Sequence, residues 1–390
     1  MVRTRRRCSV VPVLLAVAVA LPACRTRRPD ATGGPVAVTK TWRPVAAAPL
    51  SRRPGREAVW TGREMLVWGG AFLCDGDRCD GEIPQPASDG AAYAATADRW
   101  RPVAGSPLAA RDGPTMVRAG DEVVIWGGSA GPRFFDDGAT YVPSSDTWRP
   151  LPASPLVARR GSSAVWTGRE LLIWGGSAGA SFFGDGAAFN PATRVWRGLQ
   201  PAPLGGRSGA AAVWTGREMV VWGGAGEAGH FNDGATYDPQ AGTWRSLPPA
   251  PLAARGGHVA VWTGTAVMIW GGGNAAAVFA DGAAFEPGVN RWAPLPPAPL
   301  SARAGPAAVW TGFEMVVWGG GGDRFDFFGD GATYNPVTGL WQPLVASALQ
   351  GRGNPSGVWT GADVVVWGGI VHNDDLTSTT AALDGSRYDP

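Results

Sequence analysis

The 390-residue chain holds only three histidines, four cysteines and five tyrosines, and its 34 basic side chains against 32 acidic ones leave it almost neutral. Each shortage closes something off. The leader read below carries Arg3, Arg5, Arg6 and Arg7 and no acid, so the mature chain keeps 30 of the 34 bases against 32 acids, a formal charge of −2. That balance offers no basic excess for nucleic acid. The one apolar stretch near the N-terminus, residues 8–20, falls short of the roughly 20 residues that a bilayer-spanning helix needs. With Cys8 in that stretch and Cys24 just after it, Cys74 and Cys79 are the only thiols left in the body of the chain, enough for one small loop.

Glycine and tryptophan are abundant instead, 58 and 20 residues. Trp-Gly-Gly begins at Trp68, Trp126, Trp174, Trp222, Trp270, Trp318 and Trp367, and the four from Trp174 to Trp318 are spaced 48 apart. Self-similarity at such a period marks an array of repeats. In one copy, His258–Trp262 and Ala266–Trp270 are short apolar runs joined by Thr263-Gly264-Thr265, and most other copies carry Thr-Gly-Arg-Glu at that junction. A glycine at the tip supplies the positive φ of a tight hairpin. A third run follows Asp-Gly and ends in Tyr or Phe. A fourth carries Trp after a turn that Asp238-Pro239 or Asn335-Pro336 presets. Four short strands fill the period.

All 20 tryptophans obey this register: seven precede Gly-Gly, seven lie in the fourth strand, and six end the first strand, with Arg118 in the remaining place. The five tyrosines all end the third strand. They read as packing aromatics between stacked sheets, where a large ring buries roughly 150–250 Å². Arg53, Arg111, Arg159, Arg207, Arg255, Arg303 and Arg352 precede each first strand, and an Asp precedes each third. Catalysis does not need seven copies. The arginines are expected to satisfy carbonyls and the aspartates to hold their own turns.

The unit resembles the kelch repeat, with an Arg before the first strand, a double Gly after the second, an aromatic ending the third and Trp in the fourth. The resemblance covers about residues 39–390. It implies an all-β, seven-bladed β-propeller with four antiparallel strands per blade. Lys40–Pro44 reads as a fourth strand with no first three ahead of it, and Asp389-Pro390 closes a third strand with no fourth behind it. The ring is therefore expected to be closed by the N-terminal strand.

Residues 1–23 read as a signal peptide, because Arg3 to Arg7 precede an apolar stretch. Leu21-Pro22-Ala23-Cys24 looks like a bacterial lipobox in which Cys24 is acylated, and Thr4-Arg5-Arg6 is similar to a twin-arginine signal, although Cys8 stands where an apolar residue belongs. Residues 24–38 are then a tether and 39–390 the propeller. The expected setting is a cell envelope, with the chain a monomer held at the membrane by its lipid. The first blade carries an insertion in which Cys74 and Cys79 are expected to pair after export. There Asp75, Asp77, Asp80 and Glu82 could gather calcium, although their spacing does not match an EF-hand loop. No other cofactor is expected.

In a blade whose strands run in sequence, the connections two-to-three and four-to-one share a face, and on it the copies differ most. Binding residues concentrate on such loops. The candidates are Arg56, Arg133, Phe134, Glu227, His230, His258, Asp323, Arg324, His372 and Asp374. The copper oxidases that the resemblance brings to mind hold their metal with tyrosines and histidines, and here every tyrosine has a blade position. A mutarotase-like sugar enzyme would need a few acid–base groups, which Glu227, His230, His258 and His372 offer. The leading expectation is a module that binds an envelope protein or glycan, with that enzyme as the alternative.

Overall fold

In the third copy of the repeat, Ser163–Trp166 and Leu171–Trp174 pair through the turn Thr167–Glu170. Gly168 takes φ +91° at its first central position, as a type II′ hairpin turn requires. The Thr167 hydroxyl donates to the Glu170 carbonyl at 3.0 Å and accepts from the Arg169 and Glu170 amides. One side chain thus saturates the turn. The chain continues into Gly186–Asn190 and Val195–Gly198, completing a four-stranded antiparallel sheet.

The computed structural model describes residues 40–51, 58–71, 86–323, 326–372 and 379–390. Among them the same sheet occurs seven times, and each innermost strand lies beside those of both adjacent blades, closing a ring. This is a seven-bladed β-propeller. In the last blade Thr41–Pro44 pairs antiparallel with Gly385–Asp389, Trp42 opposite Tyr388. The N-terminal strand closes the ring as its sequence implies. The leader, the tether, and the inserted loop with Cys74, Cys79 and its acidic residues lie outside the described residues.

The second strands supply the core. Leu171–Trp174 and its counterparts are buried along their whole length, because the second strand has a strand on each side and a blade on each face. Each second-strand Trp meets the fourth-strand Trp of the next blade at 5.4–6.4 Å between ring centroids, seven times around, from Trp68 against Trp148 to Trp367 against Trp100. Every fourth-strand indole also donates its N–H to a carbonyl just beyond the preceding blade's last strand, as Trp196 does to Pro152 at 3.1 Å. These interlocked rings are the interface between blades.

Candidate functional site

The charged repeats come first, because they decide which side chains are free. Arg207 donates its amide to the Phe183 carbonyl and accepts from the Gly176 amide, both in the third blade. Its side chain turns the other way, into the fourth blade. There it bonds the Gly223 carbonyl at 3.2 Å and both carboxylate oxygens of Asp233, at 2.6 and 3.3 Å. The guanidinium, itself buried, lies 3.9 Å over the Phe231 ring in a cation–π contact. The same double attachment recurs at Arg111, Arg159, Arg255, Arg303 and Arg352, all of them buried. These aspartates thus do more than hold their own turns: each ties its blade to the arginine that enters it. Described arginines of this series are structural staples with no guanidinium left for a ligand.

On the turn face a second series is also consumed. Arg101 pairs with Glu64 at 2.7 Å and reaches Tyr141 of the next blade, and burial first, then the hydrogen bond to Asp146, pushes the Tyr141 hydroxyl up to about 12. Arg197 repeats the pair with Glu170 and Tyr237, Arg149 pairs with Glu122, and Arg245 meets Glu218 at 3.4 Å. The fifth blade loses both partners at once, with Ala266 and Ala293 in their places. The sixth keeps Glu314 but has Gln342 where the arginine would be. Glu314 is buried with one carboxylate oxygen unbonded, as is the hydroxyl of Tyr388 near it. Burial, reinforced by the charges of Glu314 and Asp389, pushes Tyr388 up to about 12.

The loop face holds the sequence candidates, of which Arg56, Arg324 and Asp374 lie outside the described residues. Arg133 is exposed, its guanidinium 5.0 Å from the Phe135 ring. Phe134 sits beside it, half-buried in a two-residue ribbon opposite Ser129. Glu227 is exposed, and His230 in the same loop lies against Gly256 of the next blade. Asp323 crosses from the sixth blade to the fifth, accepting the Val278 amide at 3.2 Å. His372 crosses from the seventh to the sixth, its ring 4.8 Å from Phe327. Among the described residues no hydrogen bond or ion pair joins any two of these side chains. The described candidates come from loops of five different blades, the second, fourth, fifth, sixth and seventh.

His258 leaves the exposed set altogether. It is 9% exposed and packs edge-on against Trp222, ring centroids 5.0 Å apart. Neither ring nitrogen has a hydrogen bond of good geometry. Gly223 must be glycine here, since at φ +69° a Cβ would stand 2.6 Å from the His258 ring. Burial, helped by the charge of Arg255 and opposed weakly by the Trp222 backbone, lowers the imidazole to about 3. A group held neutral at every ordinary pH cannot shuttle protons near neutrality.

Two features escaped the sequence reading. Phe135, Phe183, Phe231, Phe279 and Phe328 recur two residues before the stapling Asp and roof the staple arginines; subtracting their numbers would have shown the period. The other is the open end of the axis. The first-strand tryptophans Trp60, Trp166, Trp214, Trp262, Trp310 and Trp359 are only half-buried, unlike those of the second strand. Together with the Ala and Val residues before them they line an axial cavity of about 500 Å³ at the turn face. At the opposite end the leader loops bond one another directly, as Gly305 does to Gly257 at 2.7 Å.

The family model described as the KLHDC2/KLHL20/DRC7 Kelch-repeats domain matches residues 200–369. No curated protein matches the chain. The matched span runs from the end of the third blade to the second strand of the seventh, and before it Arg111 and Arg159 repeat the staple in the second and third blades and the tryptophan pairs continue.

Proposed function

Taking the chain as a kelch-type seven-bladed propeller, we propose that it is an exported, lipid-anchored binding module of a bacterial cell envelope whose loop face recognises a partner protein. The kelch propeller fold supports a protein-binding role. Residues 1–23 and the lipobox-like Leu21-Pro22-Ala23-Cys24 support export and an acylated Cys24. The observation that carries the docking face is its chemical variety on a constant frame. Arg133, Glu227 and Asp323 stand exposed on loops whose flanking strands are superimposable in pattern, and loops on a rigid scaffold are where recognition concentrates.

The sugar-modifying alternative needs a few acid–base groups in a central pocket, drawn from Glu227, His230, His258 and His372. They stand on the fourth, fifth and seventh blades, and His258 is buried. Binding is the better-supported reading. The test is a pull-down from envelope extract with the full chain. A partner captured by wild type is lost when Arg133, His230, Arg324 and His372 are all Ala, and kept when Arg169 and Arg217 are Ala. The reverse pattern places docking on the turn face. Cys24→Ser releases the protein from the membrane or blocks its processing; an unchanged membrane fraction and mass removes the lipid anchor.

A further inference from the structure

We propose that the turn face, opposite the loop face, carries a second site that takes an acidic sugar chain built of hexuronate units. Its main subsite is the cleft between the third and fourth blades. That cleft has a volume of about 600 Å³ and is lined by Trp214, Arg169, Arg217, Pro239 and Gln240. The half-buried Trp214 lines the cleft together with residues of the turns Thr167–Glu170 and Thr215–Glu218, an apolar ring among polar neighbours. Two cations flank it. Arg169 is exposed, with no carboxylate in ion-pair range among the described residues. Arg217 is 80% exposed and touches Asp238 only loosely, at 3.6 Å. The third arginine of the cleft, Arg197, is already held by Glu170 and Tyr237.

These groups match a uronate ring on both its aspects. A guanidinium fork takes a carboxylate bidentately, and an aromatic plate accepts the C–H face of a pyranose, leaving its hydroxyls to polar groups such as the Gln240 amide. An acidic peptide fits less well. An extended peptide is held by free backbone donors, and here the amides of Arg169, Glu170, Arg217 and Glu218 are all bonded to threonine hydroxyls.

The repetition of the face favours a polymer. Six tryptophans recur around the axis, and a second cleft of about 570 Å³ lies between the first and second blades. It holds Arg63, and Arg118 takes the place that Trp214 has in the first cleft. A repeated surface gives a protein partner little to fix its orientation, but a repeating ligand can engage both clefts at once and gain avidity. The face is also polarised. The turns of the first, third and fourth blades carry Arg63, Arg169 and Arg217, with Asp121 in the second, where the fifth, sixth and seventh carry Thr265, the exposed Phe313 and Ala362. The chain therefore crosses the basic half.

The test measures binding of the full-length protein to oligomers of polygalacturonate and alginate, with a neutral galactan and polyglutamate of matched length as controls. Either uronate oligomer binds, the neutral one does not, and polyglutamate binds at least tenfold more weakly. Arg169→Ala with Arg217→Ala lowers affinity at least tenfold and flattens its salt dependence. Trp214→Ala lowers it comparably, and Trp214→Phe less. The arginine pair is solvent-exposed and leaves the core intact, so it decides the matter if Trp214→Ala fails to fold. Equal binding of polyglutamate transfers the site to acidic peptides and overturns the proposal, as does failure of both uronates to bind or full affinity in the arginine variant. The loop-face variant binds uronate normally, which separates this site from the partner-docking reading.

Discussion

Trp42 packs against Trp318 with ring centroids 5.8 Å apart, although 276 positions of sequence separate them. Its indole also donates to the Val345 carbonyl at 2.9 Å. Trp42 is thus the seventh member of a ring of interblade pairs whose other six fourth-strand partners come from the same stretch of chain as their blades.

Closure by this strand makes a quantitative prediction. A protein beginning at Pro49 leaves the edge of Gly385–Asp389 unpaired and strips Trp318 of its partner. Trp42→Ala keeps the strand and removes only the ring. Loss of a core Trp costs about 3–5 kcal/mol, and half-burial places Trp42 near the lower figure. The truncated protein is less stable than Trp42→Ala, read as denaturant midpoints at constant slope. Equal midpoints for the truncated and full-length proteins show that the ring closes in some other way.

The staple between Arg207 and Asp233 predicts an asymmetry. The arginine side chain is wholly buried and the carboxylate side chain 53% exposed. Asp233→Asn leaves a buried cation without its counter-charge, a cost of about 3 kcal/mol. Arg207→Met removes the charge, fills similar volume and leaves a carboxylate that water can reach, so it costs roughly 1–2 kcal/mol less. Urea unfolding of the two variants measures the difference. If Arg207→Met is the more damaging, the bonds to the Gly205 and Gly223 carbonyls outweigh the ion pair.

Fold and site were unequally legible for a physical reason. The blade count, the hairpins and the closing strand follow from positions that repeat, because a repeated residue meets a repeated environment. Trp68 and Trp174 do the same work, and one reading serves both. Pairing was harder. Arg207 and Asp233 are 26 residues apart and each has six counterparts in the sequence, so their spacing alone does not say that side chain and backbone go to different blades. The half-exposure of Trp214 was hidden because strands one and two both end in Trp, and only the burial of one against the openness of the other distinguishes them. His258 looked like its neighbours on the variable loops, yet it replaces the Pro of other copies and tucks under Trp222.

That burial fixes the last prediction, a dependence of stability on acid. In the folded chain His258 titrates near 3, and in the unfolded chain near its ordinary 6.5. Between those values the unfolded state binds the extra proton, so stability rises with pH across the window and is lost as pH falls from about 6.5 toward 3. Each unit is worth about 1.4 kcal/mol, which makes the His258 contribution at pH 5 about 2 kcal/mol of destabilisation relative to neutral. His258→Ser installs the residue found at the matching Ser162, whose hydroxyl reaches the Gly175 carbonyl at 3.1 Å. It removes the titrating ring while leaving every carboxylate in place. Its own cost at pH 7 comes from lost packing against Trp222 and has no bearing on the slope. Unfolding measured at pH 7 and pH 5 in both proteins gives a loss about 2 kcal/mol smaller in the variant. Parallel losses would mean that the imidazole is reached by water and protonates in the folded state.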